Sequence, residues 1–312
     1  MNWHKELIRI VKGKVKFNEP LFKHTTLRVG GCADVWFEPK DLLDLARVLK
    51  LSREKKIPIF IIGAGSNLLI SDNGIKGIVL KLASPFFATI KFKENYAFVG
   101  AGLNLNKLVN LAKENNLSGC EFLAGIPGTL GGALVMNAGV KDIFSKNGRY
   151  FSIADLLKEV KVLGLDGKLK TLKKRDIRFG YRSSSLSKFI IICAKLELKP
   201  MSKETISSLT RKFISYKSKI QDLKSPSAGC VFKNPINSFK ETNSAGKMID
   251  ASGLKGKEIG GACVSKIHAN FILNKHRAKA KDILKLMHLI KNRVKQRFNV
   301  SLVPEIKIVG KF

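Results

Sequence analysis

The chain reads as a mixed helix-and-strand protein of about two or three domains, and three observations lead there. Its 312 residues, 45% of them hydrophobic, supply apolar side chains for more than one ordinary core. Stretches with helical spacing of apolar residues alternate with solid apolar runs of strand length, starting at 40–62. Pro200 then closes a strand-like run and marks a domain edge. Composition excludes other classes. Disorder requires low hydrophobicity together with high charge, and a collagen-like chain requires far more than 26 Gly and 9 Pro. No apolar run approaches the roughly 18 to 20 residues that span a bilayer, and the start Met1-Asn2-Trp3-His4 lacks a signal-type apolar core. The expectation is a soluble, cytoplasmic protein with no membrane contact.

The elements follow in order. Residues 40–56 carry Leu42, Leu45, Ala46 and Leu49 with charges between them, which predicts an amphipathic helix, and 57–62 predicts a buried strand interrupted only by Pro58. Asp72-Asn73-Gly74 is a strong turn, after which 75–80 and 96–99 predict strands and 104–115 a helix. Strands are predicted again at 159–165, with a hairpin turn at Asp166-Gly167, and at 189–198. Beyond Pro200, 202–219 predicts a helix and 225–235 a loop containing the apolar pair Val231-Phe232. The last helix, 281–298, repeats Ile283, Met287, Ile290, Val294 and Phe298 at three and four residues. Its other face carries Lys279, Lys281, Lys285, Lys291 and Lys295, a solvated face or an anionic-partner face.

Charge and cysteines narrow the function classes. With 57 Lys plus Arg against 24 Asp plus Glu, the formal charge is +33 and the pI near 10.1. That excess is compatible with a nucleic-acid binder, an enzyme for anionic small molecules, or a compositional drift toward lysine. The 45 Lys are scattered through every segment, which favours a solvated surface over a specific nucleic-acid site. The five cysteines (32, 120, 193, 230, 263) form no CxxC pair and are odd in number, so neither a disulfide framework nor a metal site is expected.

Three Gly-rich stretches follow apolar segments: 63–72 (GAGSNLLISD), 100–108 (GAGLNLNKL) and 125–139 (GIPGTLGGALVMNAG). Such loops let backbone N–H groups close on phosphate oxygens, because a Cβ would hold the chain away; each alone also reads as a tight turn. A dinucleotide fingerprint of the Rossmann kind is disfavoured, since Leu68 occupies the third glycine position and the Asp72-Asn73-Gly74 turn arrives before a helix could develop. A non-Rossmann dinucleotide site fits best.

HTTLRVGG (24–31), GAGSNLLISD, AGIPGTLGGALVMNAG (124–139), FGYRSSSL (179–186), SAGCVFKNP (227–235), AGKMIDASGLKG (245–256) and VPEIKIVG (303–310) resemble, in order and over nearly the whole chain, the motifs of the UDP-N-acetylenolpyruvoylglucosamine reductase family. The resemblance implies an α+β, three-domain flavoenzyme: a two-part FAD-binding unit of the PCMH (vanillyl-alcohol-oxidase-like) type plus an α/β substrate-binding domain. Residues 1–83 with the C-terminal strand 303–312 would form the first FAD-binding part, 84–200 the second, and 201–302 the substrate-binding domain. It implies non-covalent FAD, NADPH as hydride donor, and reduction of the enolpyruvyl ether of UDP-N-acetylglucosamine to UDP-N-acetylmuramate in peptidoglycan precursor synthesis. A monomer is expected.

The resemblance also assigns residues. Gly63, Ala64, Gly65, Ser66 and Asn67, and Gly125, Ile126, Pro127, Gly128, Thr129, Gly132, Ala133, Asn137, Ala138 and Gly139, would line the flavin. Arg182 and Glu305 would stabilise the enolate-like charge on the substrate carboxylate, and Cys230 stands where many relatives place a proton-donating Ser. A thiol, with a reference pKa of about 8.5, is far more acidic than an alcohol and suits that task. Tyr181, Asn234, Lys255 and His268 would lie near the nucleotide sugar. No long Tyr-bearing insertion is evident between Ser183 and Pro226, which resembles the shorter, type II branch. Taken singly, Arg182 also reads as a surface ion-pair residue, Cys230 as a small buried hydrophobe, Lys255 as a solvated lysine and His268 as a structural histidine. The alternatives are another FAD-linked oxidoreductase of the same flavin-binding fold and, from a different class, a basic nucleic-acid-binding protein.

Overall fold

The computed structural model describes residues 3–141, 150–222, 224–235 and 244–312. They form two compact units, neither of them one stretch of sequence: the first holds the described residues of 1–16, 35–63 and 77–216, the second those of 17–34, 64–76 and 217–312.

The first unit is organised by a five-stranded antiparallel sheet. Its order is Leu169–Lys173, Leu157–Leu163, Ile190–Glu197, Tyr96–Gly100, Ile90–Lys93. The Asp166-Gly167 turn joins the first two strands as expected, with the Gly167 N–H donating to the Gly164 carbonyl at 2.9 Å. Helices Leu42–Glu54 and Leu105–Glu114 match the helical spacing of their sequences, and each starts on a side-chain cap: Asp41 accepts from the Asp44 N–H, Asn104 from the N–H groups of Asn106 and Lys107. Their apolar faces enter one continuous core with Val99, Leu108, Val160, Ile190 and Leu196, all essentially inaccessible. The apolar run 57–62 contributes only Ile59–Ile61 as a strand, paired in parallel with Ile78–Leu80. It is an edge strand, so Ile61 is 39% exposed where a buried strand was expected. Proline at 58 has no N–H to extend the ladder, which suits an edge.

In the second unit a smaller antiparallel sheet runs in the order Ser227–Cys230, Phe271–Asn274, Ala262–Val264, Glu258–Ile259. Helices Ala245–Ala251 and Ala280–Phe298 pack on one another, and Ile283, Met287, Ile290 and Val294 enter the core beside Phe232, Ile249 and Ile272. The long helix ends at Asn299 in the left-handed conformation (φ 55°), a common terminating geometry for asparagine. Apart from these elements, strand Lys307–Val309 pairs in parallel with Leu68–Ile70. The segment expected to be a loop, 225–235, is corrected by the structure: Ser227–Cys230 is a strand. Gly and Pro around it mask a strand that is irregular, with a bulge between Ser227 and Cys230 and Gly229 at φ 74°.

Candidate active site

Within the first unit, the Gly125–Gly139 loop delivers a short helix, Leu130–Val135, capped by Thr129. Gly63 lies so close to it that an added Cβ would stand 2.8 Å from the Thr129 Oγ1. Asn137 takes a left-handed backbone (φ 44°), which asparagine tolerates better than most residues, and its Nδ2 donates to the Gly180 carbonyl at 3.1 Å. That ties the end of the glycine loop to the Phe179–Gly180 strand, directly before Tyr181-Arg182.

Arg182 also has a left-handed backbone (φ 53°), a conformation worth of order 1 kcal/mol of strain for a residue with a Cβ. Its guanidinium is pinned on several sides. Nη1 donates to the Gly139 carbonyl at 2.9 Å and to the Tyr150 Oη at 2.5 Å, while the Tyr150 hydroxyl donates to the same carbonyl at 3.0 Å. The Tyr150 and Tyr181 rings lie 5.8 and 5.4 Å from the guanidinium carbon, within cation–π range. The result is an oriented cation beside the final glycine of the loop.

In the second unit, Gly65 sits at φ 64°, and a Cβ there would fall 2.0 Å from the His24 carbonyl oxygen. No other residue fits that approach, which is stapled by the Thr26 N–H donating to the Gly65 carbonyl at 3.2 Å. Asn67 reaches the C-terminal segment: its Nδ2 donates to the Glu305 carbonyl at 3.1 Å, and its own carbonyl accepts from the Lys307 N–H at 2.9 Å. The segments that carry Cys230 and Glu305 pair here through their backbones. The Glu305 N–H donates to the Val231 carbonyl at 2.7 Å, Phe232 bridges Pro304, and the Lys233 N–H donates to the Val303 carbonyl at 2.9 Å. Both side chains are half-buried.

The other expected substrate residues are already engaged. The Asn234 Oδ1 accepts from the Ala245 N–H at 3.1 Å, at the start of the Ala245–Ala251 helix. Lys255 pairs with Asp250 at 2.6 Å on the surface. The His268 Nδ1 accepts the Asn270 N–H at 3.2 Å, and its ring lies 4.8 Å from that of Phe271. Burial, reinforced by the positive charge of Lys255, pushes the His268 pKa below the ordinary value and keeps the ring neutral, as the Nδ1 acceptor role requires.

Three residues escaped the sequence. Tyr150 precedes no recognisable motif, and Asn270 has a role set wholly by strand register. Lys217 was findable: it lies four residues after Phe213 on the buried face of the Lys203–Ile220 helix, is 7% exposed, and burial pulls its ammonium down to about 8.

The Thr26 Oγ1 and the Asn137 Oδ1 are buried without a hydrogen-bond partner, beside Gly65 and the 125–139 loop respectively. Buried polar atoms are ordinarily satisfied, so each is suited to a ligand group. The residues present therefore fit FAD. Among the described residues, no cluster of His, Cys, Asp and Glu could hold a metal ion.

Comparison with known proteins agrees. Residues 221–309 match the model of the UDP-N-acetylenolpyruvoylglucosamine reductase C-terminal domain, and 33–173 that of an FAD binding domain. The UDP-N-acetylenolpyruvoylglucosamine reductase of Desulforamulus reducens is 40% identical over 307 residues, covering 98% of this chain and 97% of the relative. That of Clostridioides difficile is 40% identical over 96% of this chain and 94% of the relative. The crystal structure of the Thermus caldophilus reductase superposes with a TM-score of 0.77 at 34% identity, covering 95% of this chain and 98% of that one. A solvent-stable cholesterol oxidase, at 15% identity and a TM-score of 0.50 over 61% of this chain and 38% of its own, shares the flavoenzyme fold alone.

Proposed function

This chain belongs to the UDP-N-acetylenolpyruvoylglucosamine reductase family, and from that premise we propose a residue-level account of its chemistry. It is an FAD-dependent oxidoreductase of the PCMH-type α+β flavoenzyme fold. It uses NADPH to reduce the enolpyruvyl ether of UDP-N-acetylglucosamine to UDP-N-acetylmuramate, a step of peptidoglycan precursor synthesis. Gly63 to Asn67 and Gly125 to Gly139 would hold the FAD, with the Thr26 Oγ1 and the Asn137 Oδ1 turned to it. Bound FAD supplies the hydride, taken from NADPH.

The chain's own residues then do the following. Hydride arriving at the terminal alkene carbon drives the π pair toward the carbon that bears the carboxylate, and negative charge builds on the carboxylate oxygens. Arg182, already oriented by Gly139 and Tyr150, stabilises that charge, and a protonated Glu305 donates a hydrogen bond to it. The Cys230 S–H gives its proton to the adjacent carbon, and the resulting thiolate regains a proton from water. Tyr181, Asn234, Lys255 and His268 position the nucleotide sugar, Lys255 against its diphosphate after release from Asp250. We assign 1–83 with 303–312 and 84–200 to flavin binding and 201–302 to the substrate. We also take the protein to act as a cytoplasmic monomer; among the described residues no helix is long and apolar enough to cross a membrane.

The observation that supports this account is the backbone hydrogen bond from the Glu305 N–H to the Val231 carbonyl, which pairs the segment carrying Glu305 with the residue next to Cys230. The test is anaerobic. FAD-loaded protein should lose its blue-region absorbance on addition of NADPH and regain it with the enolpyruvyl nucleotide sugar, with UDP-N-acetylmuramate recovered stoichiometrically. Bleaching without recovery of colour would remove the substrate from the account.

A further inference from the structure

Asn270 is 3% exposed and directs three hydrogen bonds at the dipeptide that follows Cys230. Its carbonyl accepts from the Val231 N–H at 2.8 Å, its Oδ1 accepts from the Phe232 N–H at 2.9 Å, and its Nδ2 donates to the Phe232 carbonyl at 2.8 Å. This dipeptide is where the chain changes partners. Up to Cys230, which faces Phe271, it pairs with Phe271–Asn274; from Phe232 it pairs with 303–305. At such a switch the ladder on one side has no further backbone rung to offer. The Asn270 amide supplies it, since one acceptor and one donor on a planar group reproduce a peptide's hydrogen-bonding edge.

Val231 is thus held from both sides, its N–H by Asn270 and its carbonyl by the Glu305 N–H. We propose that Asn270 is a positioning residue for proton delivery: it fixes the crossing at which the segment bearing Cys230 passes to the segment bearing Glu305, and so governs the step in which the reduced flavin is re-oxidised. The inference rests on the roles given above to Cys230 and Glu305. Aspartate at 270 would keep the acceptor but set a carboxylate oxygen against the Phe232 carbonyl, alanine would leave both Phe232 groups unpaired, and glutamine is a methylene too long for the slot.

A merely structural asparagine would weaken the fold and leave the two half-reactions in proportion, so the test separates them. Stopped-flow measurements on FAD-loaded Asn270→Ala would be compared with wild type and with Leu286→Ala, a fully buried leucine of the same core on the Ala280–Phe298 helix. Reduction by NADPH should stay within about twofold of wild type, while re-oxidation by the enolpyruvyl nucleotide sugar slows about tenfold or more, as small misplacements of reacting groups do. A larger solvent deuterium isotope effect on re-oxidation should accompany the loss. A second readout needs no turnover: iodoacetamide labelling of Cys230, followed by peptide mass spectrometry, should change about threefold or more, while exposed Cys32 labels as in wild type.

Asn270→Asp, close in volume, is the second variant should the alanine chain not fold, and the same outcomes apply. Wild-type re-oxidation with unchanged Cys230 labelling would overturn the proposal, and so would an equal slowing in Leu286→Ala. If the nucleotide sugar fails to re-oxidise the wild type, the substrate assignment fails instead, and the labelling contrast still reports on Asn270.

Discussion

Arg182 and Cys230 are both held in place, but by different kinds of contact. The arginine is fixed through its side chain, by a carbonyl 43 residues earlier in sequence, a phenol and two aromatic rings, all in one unit. Cys230 is fixed through its backbone, on a bulged strand whose continuation is paired with segments around 270 and 305. A side-chain cradle can be trimmed one group at a time, and its losses should be graded. A backbone crossing either holds or does not, and its own side chain can be replaced without moving the frame.

The sharpest test of that difference removes the thiol and leaves the frame. Cys230→Ala should lower the rate of flavin re-oxidation by about 10²–10⁴-fold, the usual contribution of a positioned proton donor, with reduction by NADPH unchanged. Cys230→Ser should restore part of it; near-normal turnover in the alanine variant would remove Cys230 from the mechanism. Next, Arg182→Lys should cost about 10²-fold in kcat/KM, because an ammonium is a point charge and cannot present a planar, bidentate face to a carboxylate while meeting the Gly139 carbonyl and the Tyr150 hydroxyl as Nη1 does. Tyr150→Phe should cost less, about fivefold, since of the two hydrogen bonds its hydroxyl loses only the one to Arg182, of roughly 1 kcal/mol, holds the guanidinium, and the ring stays over it. If Tyr150→Phe matches Arg182→Lys, the cradle is not graded and the contrast fails.

The smallest effect concerns pH. Burial lowers the His268 pKa in the folded protein, so the contribution of the neutral ring is complete above the unfolded value of about 6.5 and is lost as pH falls below it, where the unfolded chain takes up the proton first. The thermal midpoint of wild type minus that of His268→Gln should be flat above about pH 7 and shrink below about pH 6.5. A difference that stays flat down to about pH 5 would mean that the ring does not titrate in this way.

Legibility in the sequence divides along the same line. The helices Leu42–Glu54, Leu105–Glu114 and Ala280–Phe298 were readable because one apolar face at helical spacing is a local property. The strand Ser227–Cys230 was not, because Gly229 and the flanking prolines read as a loop and only the partner Phe271–Asn274 makes it a strand. Arg182, Cys230 and Glu305 were singled out through the motifs around them. The residues that hold them were not: Tyr150 belongs to no motif, and Asn270 stands in SKIHANF (265–271) with nothing local to say that its amide would replace a backbone rung. A partner defined by register lies outside what spacing can report.

The parallel pairing of Leu68–Ile70 with Lys307–Val309 sets a schedule for synthesis. Asn67 and Glu305, joined by a hydrogen bond, are 238 residues apart in sequence. At about 5–20 residues per second, roughly 10 to 50 s separate their emergence from the ribosome. Through that interval the glycine turn at Gly65 waits without the segment that anchors Asn67, and the five-stranded sheet of the first unit is synthesised in full before the second unit can close. On the role proposed for Gly63 to Asn67, flavin binding depends on a contact that is among the last to form, and a nascent chain stalled before residue 305 is expected to carry a folded first unit and no cofactor.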